Sequence, residues 1–216
     1  MDIIRGVDSM PSGDARTVLT IGNFDGVHLA HRHICRLIRE AADERGGRSA
    51  ILTFDPHPLS VVAPDRRPPL MTTLDEKLAR LETQGVDLAI VQPFTAELAR
   101  TEAGEFVRSI LHEKIRAGLV FVGFNFHFGK GAAGNVALLR SEGERLGFET
   151  RMIEAFMSEG QRVSSSAIRK LLLAGEVEEA ARFLGGYHVI EGPVIEGDGR
   201  GRQIGVPTAN VDYPPI

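Results

Sequence analysis

Short apolar stretches at residues 18–21, 48–54, 86–91 and 119–124, rich in Val, Ile, Leu and Phe, read as buried strands, and helical spacing follows them. After the first, Ile34, Leu37, Ile38, Ala41 and Ala42 recur on one helical face. Thr73-Leu74-Asp75-Glu76 has the S/T-x-x-E form of a capping box, opening a helix through Lys77, Leu78, Leu81 and Glu82 that closes at Gly85. Helical periodicity returns over 94–99, 103–115 and 136–146, a fifth strand is expected over 148–153, and helices over 166–173 and 176–184 flank Gly175. Strands alternating with helices predict an α/β fold, a parallel sheet with crossover helices. Asp55-Pro56-His57-Pro58 predicts an extended loop at the carboxyl end of the second strand. Ligands bind at that end of open α/β sheets. A further irregular, Pro-rich connection is expected over 64–69.

At Gly185-Gly186 the pattern changes. Residues 187–195 alternate like a β-strand, and Gly197-Asp198-Gly199-Arg200-Gly201-Arg202 reads as a turn-rich loop. The roughly thirty residues that remain are too few for a core of their own. The expected division is therefore 1–186 as one α/β domain and 187–216 as the opening of an all-β domain that this chain does not complete.

Composition narrows the class. With 43% hydrophobic residues and no Trp, the chain fits a globular protein with an aliphatic interior. No apolar run approaches the ~18 residues of a membrane span and no signal-peptide core opens the chain, so no membrane partner and a cytoplasmic location are expected. A net charge of −4 disfavours general nucleic-acid binding. The single cysteine, Cys35, cannot form an internal disulfide and is expected to be a partly buried small hydrophobe.

Chemistry concentrates at Gly22-Asn23-Phe24-Asp25-Gly26-Val27-His28-Leu29-Ala30-His31, where strand becomes helix. Unpaired N–H groups at a helix start attract anions, glycines let phosphates approach, and imidazoles add donors to developing charge. Ordinary polar residues near a helix cap are the plain alternative. Two histidines without Cys, Asp or Glu at ligand spacing make a poor zinc site. Ser164-Ser165-Ser166 with Arg169 one turn on is either a second anion clamp or a serine cap beside a solvated arginine. Gly129-Lys130-Gly131-Ala132-Ala133-Gly134 satisfies G-x-G-x-x-G, but intervening residues separate it from its strand and no acidic residue follows at the expected distance, against a dinucleotide turn. Asn125 and Phe128, at a strand end, could read and stack a planar ligand. Without a Walker A loop, a G-x-S-x-G elbow or H-E-x-x-H, the chemistry left standing is nucleotidyl transfer, which needs positioning and charge stabilisation and usually Mg²⁺ with the nucleotide.

In order, Gly22-Asn23-Phe24-Asp25-Gly26-Val27-His28-x-x-His31, Thr53-Phe54-Asp55-Pro56-His57-Pro58, Val122-Gly123-Phe124-Asn125-Phe126-x-Phe128-Gly129 and Ser164-Ser165-Ser166-x-x-Arg169 closely resemble the prokaryotic bifunctional riboflavin kinase/FMN adenylyltransferases, the FAD synthetases. The resemblance implies a Rossmann-like nucleotidyltransferase domain joining AMP from ATP to FMN, with Mg²⁺, giving FAD and pyrophosphate, followed by an incomplete β-barrel segment. It implies ATP binding by Gly22, Asn23, Phe24, Asp25, His28, His31, Ser164, Ser165, Ser166 and Arg169, with His28, His31 and Arg169 acting in catalysis. Phe54, Pro56, Pro58, Asn125 and Phe128 match the flavin side. Thr208 and Asn210 match the Pro-Thr-Ala-Asn motif of the kinase site, whose remaining residues would lie past position 216, so kinase activity is expected to be absent. Ala30 replaces the family's glycine between the histidines, and weaker ATP binding is expected. A related nucleotidyltransferase with a non-flavin acceptor and a non-catalytic flavin- or nucleotide-binding regulator are the alternative readings.

Overall fold

The computed structural model describes residues 1–11 and 17–213. Its centre is a six-stranded, all-parallel sheet. The strands are β1 (Asp2–Arg5), β2 (Thr17–Ile21), β3 (Arg48–Asp55), β4 (Leu88–Pro93), β5 (Ala117–Gly123) and β8 (Glu149–Ile153), in the order β1-β4-β3-β2-β5-β8. Short two-residue strands make three ribbons outside it: β6 (His127–Phe128) with β7 (Gly134–Asn135), β9 (Met157–Ser158) with β10 (Gln161–Arg162), and β11 (Val194–Ile195) with β12 (Asn210–Val211). The helices are α1 (Leu29–Arg45), α2 (Pro58–Val62), α3 (Leu74–Glu82), α4 (Ala96–Ala99), α5 (Ala103–Glu105), α6 (Val136–Leu146), α7 (Ser165–Ala174), α8 (Val177–Leu184) and α9 (Arg200–Gln203). No helix among the described residues is long and apolar enough to cross a membrane.

The continuous apolar runs reflect burial on both faces of the sheet, the usual condition of parallel strands. Because side chains alternate, Leu19, Ile21, Ala50, Leu52, Val120 and Val122 point to one layer, with Phe106, Val107, Leu111 and Leu139. Val18, Ile51, Leu119 and Phe121 point to the other, where Cys35, Ile38 and Ala42 of α1 cover them with Leu81 of α3. Each fully buried Leu or Ile contributes about 2 kcal/mol relative to exposure.

The capping box forms as expected: the Thr73 hydroxyl accepts from Glu76 N–H while the Glu76 carboxylate accepts from Thr73 N–H. Gly175 adopts the left-handed turn that ends α7. Several expectations need correction. The segment after Asp55 is not wholly extended, since Pro58 opens α2; proline suits a first helical position, where no N–H is required. The 64–69 connection contains a short 3-10 turn, Pro64–Arg66. After α5 the helix widens into π turns over Phe106–Lys114, with Ile115 N–H bonded to Ile110 C=O. Residues 187–193 form no strand, and pairing is confined to Val194–Ile195; Tyr187 and Ile190 are exposed, with no sheet face to cover them. Cys35 is wholly rather than partly buried. The edge strand β1, four residues long, carries too little periodicity to be recognised from sequence.

Candidate active site

The sheet order reverses between β2 and β5, so the loops leaving their carboxyl ends part there and open a crevice. The β2–α1 loop turns tightly, with Phe24, Gly26 and Val27 at positive φ. Phe24 and Val27 are non-glycine residues in a sparsely occupied region, held by burial of both side chains. The loop delivers His28 to the N-cap of α1, where no side chain caps the first turn. Those backbone N–H groups remain available to an anion.

The two imidazoles stack, with ring centroids 3.7 Å apart at 14°, and the Phe24 ring lies 4.8 Å from that of His31. Ser165 in the first turn of α7 donates its hydroxyl hydrogen to the Asp25 carbonyl at 3.2 Å. Its oxygen therefore accepts from His28 Nε2–H at 3.1 Å. Nδ1 of both histidines is buried without a protein partner. Burial pushes the His28 pKa down to about 4, against a partial offset from Asp25, and burial with the neighbouring His28, Lys77 and Arg169 charges pushes His31 well below its ordinary value. Both are neutral near pH 7.

Arg169, on α7, meets the Asp25 carboxylate at 2.7 Å. Asp25 also accepts from Met71 N–H, Thr72 N–H and the Thr72 hydroxyl, so its oxygens are turned inward rather than toward a ligand. Ser164 caps α7 by accepting from Ala167 N–H, and Ser166 is exposed. The cluster at the loop is thus His28, His31, Ser165, Asp25 and Arg169.

Residues of the same loop also line an aromatic cavity of about 580 Å³. Phe54, Pro58, Asn125 and Phe128 line it, together with Gly22 and Asn23 from the loop, whereas Pro56 does not. Residues not anticipated from sequence complete the wall: Leu59 and Val62 of α2, Phe94, Leu98, Phe106 and Phe126. The one available signal was the cluster of apolar residues directly after Pro58. Phe54 meets Phe94 edge-on at 5.5 Å, and Phe126 stacks on Phe128 at 5.3 Å. A smaller groove of about 100 Å³, beside the start of α1 and the ends of β5 and β8, is lined by Ala30, Ile34, Phe124, Phe156 and Arg162. Asn125 lines both spaces.

Lys77 was also missed as a site residue. Nearly buried on α3, it donates to the Asn23 carbonyl and the Thr53 hydroxyl, each at 3.2 Å, and burial lowers its pKa. Its sequence position shows only a polar residue in an amphipathic helix.

Gly129 to Gly134 does not form a phosphate turn after a sheet strand; it bridges β6 and β7 through a short 3-10 turn, and Gly129 and Gly131 line the aromatic cavity. Thr208 and Asn210 stand apart from the cluster, in the terminal segment, where Asn210 pairs with Ile195 and Gly201 packs close to the Thr208 hydroxyl. Among the described residues, no group of three or more His, Cys, Asp or Glu is arranged to hold a metal ion.

A doubly wound parallel sheet, with a histidine-bearing helix start and a second helix closing on it at the switch point, defines an α/β nucleotidyltransferase-type protein. Comparison with known proteins agrees. The FAD synthetase family model matches residues 10–167 and the riboflavin kinase model matches residues 184–215. The bifunctional riboflavin kinase/FMN adenylyltransferase of Escherichia coli K12 is 37% identical over 212 residues, covering 98% of this chain and 68% of that protein. The Haemophilus influenzae protein of the same name is 36% identical over 211 residues, with the same coverage of each chain. A solved structure titled as a macrolide-efflux protein from Streptococcus pneumoniae superposes with a TM-score of 0.83 at 26% identity, covering 98% of this chain and 69% of that one. A pantoate-beta-alanine ligase from Francisella tularensis shares the fold, with a TM-score of 0.51 at 13% identity over 89% of this chain and 90% of that one. The chain belongs to the FAD synthetase family, and it is an enzyme of the bifunctional riboflavin kinase/FMN adenylyltransferase group.

Proposed function

We infer that this chain transfers AMP from ATP to FMN, forming FAD and releasing pyrophosphate. The observation that carries the reading is that one loop serves two spaces: its Gly22 and Asn23 line an aromatic cavity of about 580 Å³, its Asp25 and His28 join the cluster with Ser165 and Arg169, and Asn125 lies in the walls of both the cavity and the groove beside α1. The cavity has the size and lining of a small-molecule site, and its phenylalanines suit the isoalloxazine ring. The groove beside Ala30 and Phe156 suits the adenosine end of ATP. In this arrangement the FMN phosphate reaches the start of α1 along the loop.

An FMN phosphate oxygen attacks the α-phosphorus of ATP, the new P–O bond forming as the bond to the β-phosphate bridging oxygen breaks. Pyrophosphate leaves with that electron pair. No protein nucleophile is required, so catalysis rests on positioning and on donors aimed at the developing charge. The open N–H groups of α1 and the Arg169 guanidinium supply positive potential, the neutral His31 can add an N–H donor, and His28, whose single N–H goes to Ser165, holds that serine and the start of α7 against the loop. Asp25 works indirectly, by holding Arg169 in place. The described residues offer no cage for a metal, so Mg²⁺ is expected to enter on the phosphate oxygens of ATP.

We further propose that residues 1–186 form the adenylyltransferase unit and that 187–216 belong to a riboflavin kinase unit. The test is chromatography after incubation with Mg²⁺-ATP and FMN. FAD from FMN is the expected result. Binding of FMN or ATP without product would favour a non-catalytic regulator.

A further inference from the structure

The hydrogen bonds around His57 fix the orientation of the Asn23 amide. His57 Nδ1 accepts the Leu59 N–H at 3.2 Å and so caps α2. Nδ1 therefore carries no hydrogen, and a neutral imidazole must then bear it on Nε2. Burial lowers the His57 pKa, which favours that neutral form. Nε2 lies 3.0 Å from the terminal amide of Asn23, at the atom assigned as Nδ2. Two donors would face each other. The oxygen and nitrogen of an amide are assigned from their partners, and here the partners place the oxygen toward His57.

The other end of the amide then carries two N–H donors. Among the described residues no hydrogen bond joins it to another group, and Asn23 lines both the aromatic cavity and the small pocket that also holds His57, so with the oxygen on the His57 side the opposite end of the amide is the one able to face the cavity. The backbone cannot readily swing the group away, because the Asn23 carbonyl accepts from both Lys77 Nζ and the Thr53 hydroxyl. We propose that His57 is a positioning residue that turns the Asn23 NH2 group into the aromatic cavity, so that this wall selects a ligand presenting hydrogen-bond acceptor oxygens. The assignment deepens the flavin reading and rests on it. FMN has three kinds of such oxygen, the ring carbonyls, the ribityl hydroxyls and the phosphate, and the donor wall fits any of them.

The test joins a measurement on the free protein with one on binding. Nitrogen-15 NMR of the histidine side chains reads the His57 tautomer directly: Nε2–H is expected, and Nδ1–H would overturn the assignment whether or not the chain binds flavin. Asn23→Asp keeps an oxygen for His57 and sets a second oxygen against the ligand. Its FMN affinity should fall at least about tenfold. His57→Asn retains a capping side chain on α2 but releases Asn23, so a smaller loss of several-fold is expected. An equal loss for riboflavin and FMN assigns the contact to a ring or ribityl oxygen, and a loss for FMN alone assigns it to the phosphate. Wild-type FMN affinity in Asn23→Asp would overturn the proposal. A wild-type chain that binds no flavin would instead refute the proposed function, with the tautomer still deciding the orientation of Asn23.

Discussion

The carboxylate of Asp25 and the guanidinium of Arg169 meet at 2.7 Å with side chains only 5% and 14% exposed, tying the β2–α1 loop to α7 across 144 residues of chain. This pair, with the His28–Ser165 bond, closes the second half of the site onto the first. Arg169 Nε remains buried without a protein partner, a donor left for substrate oxygen.

Removing either member should separate stability from activity. Asp25→Ala strands the guanidinium together with the donors of Met71 and Thr72, and should destabilise the fold by about 3–5 kcal/mol. Arg169→Ala leaves Asp25 with those remaining donors and should cost less. Both should abolish most FAD formation. Urea unfolding midpoints beside turnover rates check the contrast, and equal stability loss in the two variants would refute it.

His28 should show its burial in the pH dependence of stability. Its folded pKa, about 4, lies below the ordinary 6.5, so between these values the unfolded chain binds a proton that the folded chain does not. The stabilisation is present above pH 6.5 and is lost as pH falls toward 4, on the order of 3 kcal/mol in all. His28→Gln should flatten this part of the stability curve measured by denaturation across pH, and should lower kcat about 10²–10³-fold.

The Cys35 thiol is fully buried and its pKa is pushed up to about 12 by burial. It should resist thiol reagents at pH 8 in the native protein and react within the dead time in denaturant. Cys35→Ala should cost about 1–2 kcal/mol with kcat unchanged.

A Cβ on Gly134 would lie 2.8 Å from the Phe128 ring and from Ala103 Cβ. Gly134→Ala should therefore displace the Phe128 ring that lines the cavity. KM for FMN is expected to rise about tenfold with little change for ATP, and steady-state kinetics with each substrate varied would show it.

Ala30 lines the small groove beside α1 and also packs against the layer that contains Ile168 and Leu184. Ala30→Gly removes the methyl group from that groove and should lower KM for ATP several-fold at a stability cost of about 1 kcal/mol. An unchanged KM would place the substitution's effect on packing alone.

Much of the fold was legible because each strand of the sheet centre is a separate apolar run and each long helix carries its own stop or start. The Thr73 capping box and the Gly175 turn are complete within a few residues of chain. The failures have a common cause. Residues 187–193 alternate as a strand would, yet alternation forms a strand only where a neighbouring edge accepts its hydrogen bonds. β1 is the converse, four residues made a strand by the edge of β4.

By itself the sequence determined the parallel α/β architecture, the histidine pair at the first helix and the serine-arginine segment, since these depend on local spacing and residue type. Only the tertiary structure decided that Asp25 faces inward to Arg169, that Lys77 lies beneath the loop, that Pro56 stays out of the aromatic cavity while Leu59 and Val62 enter it, and that His57 orients Asn23. Those outcomes depend on which side of a turn each side chain takes and on which donors lie opposite. Both are set by contacts between segments distant in the chain, which no local pattern of residues specifies.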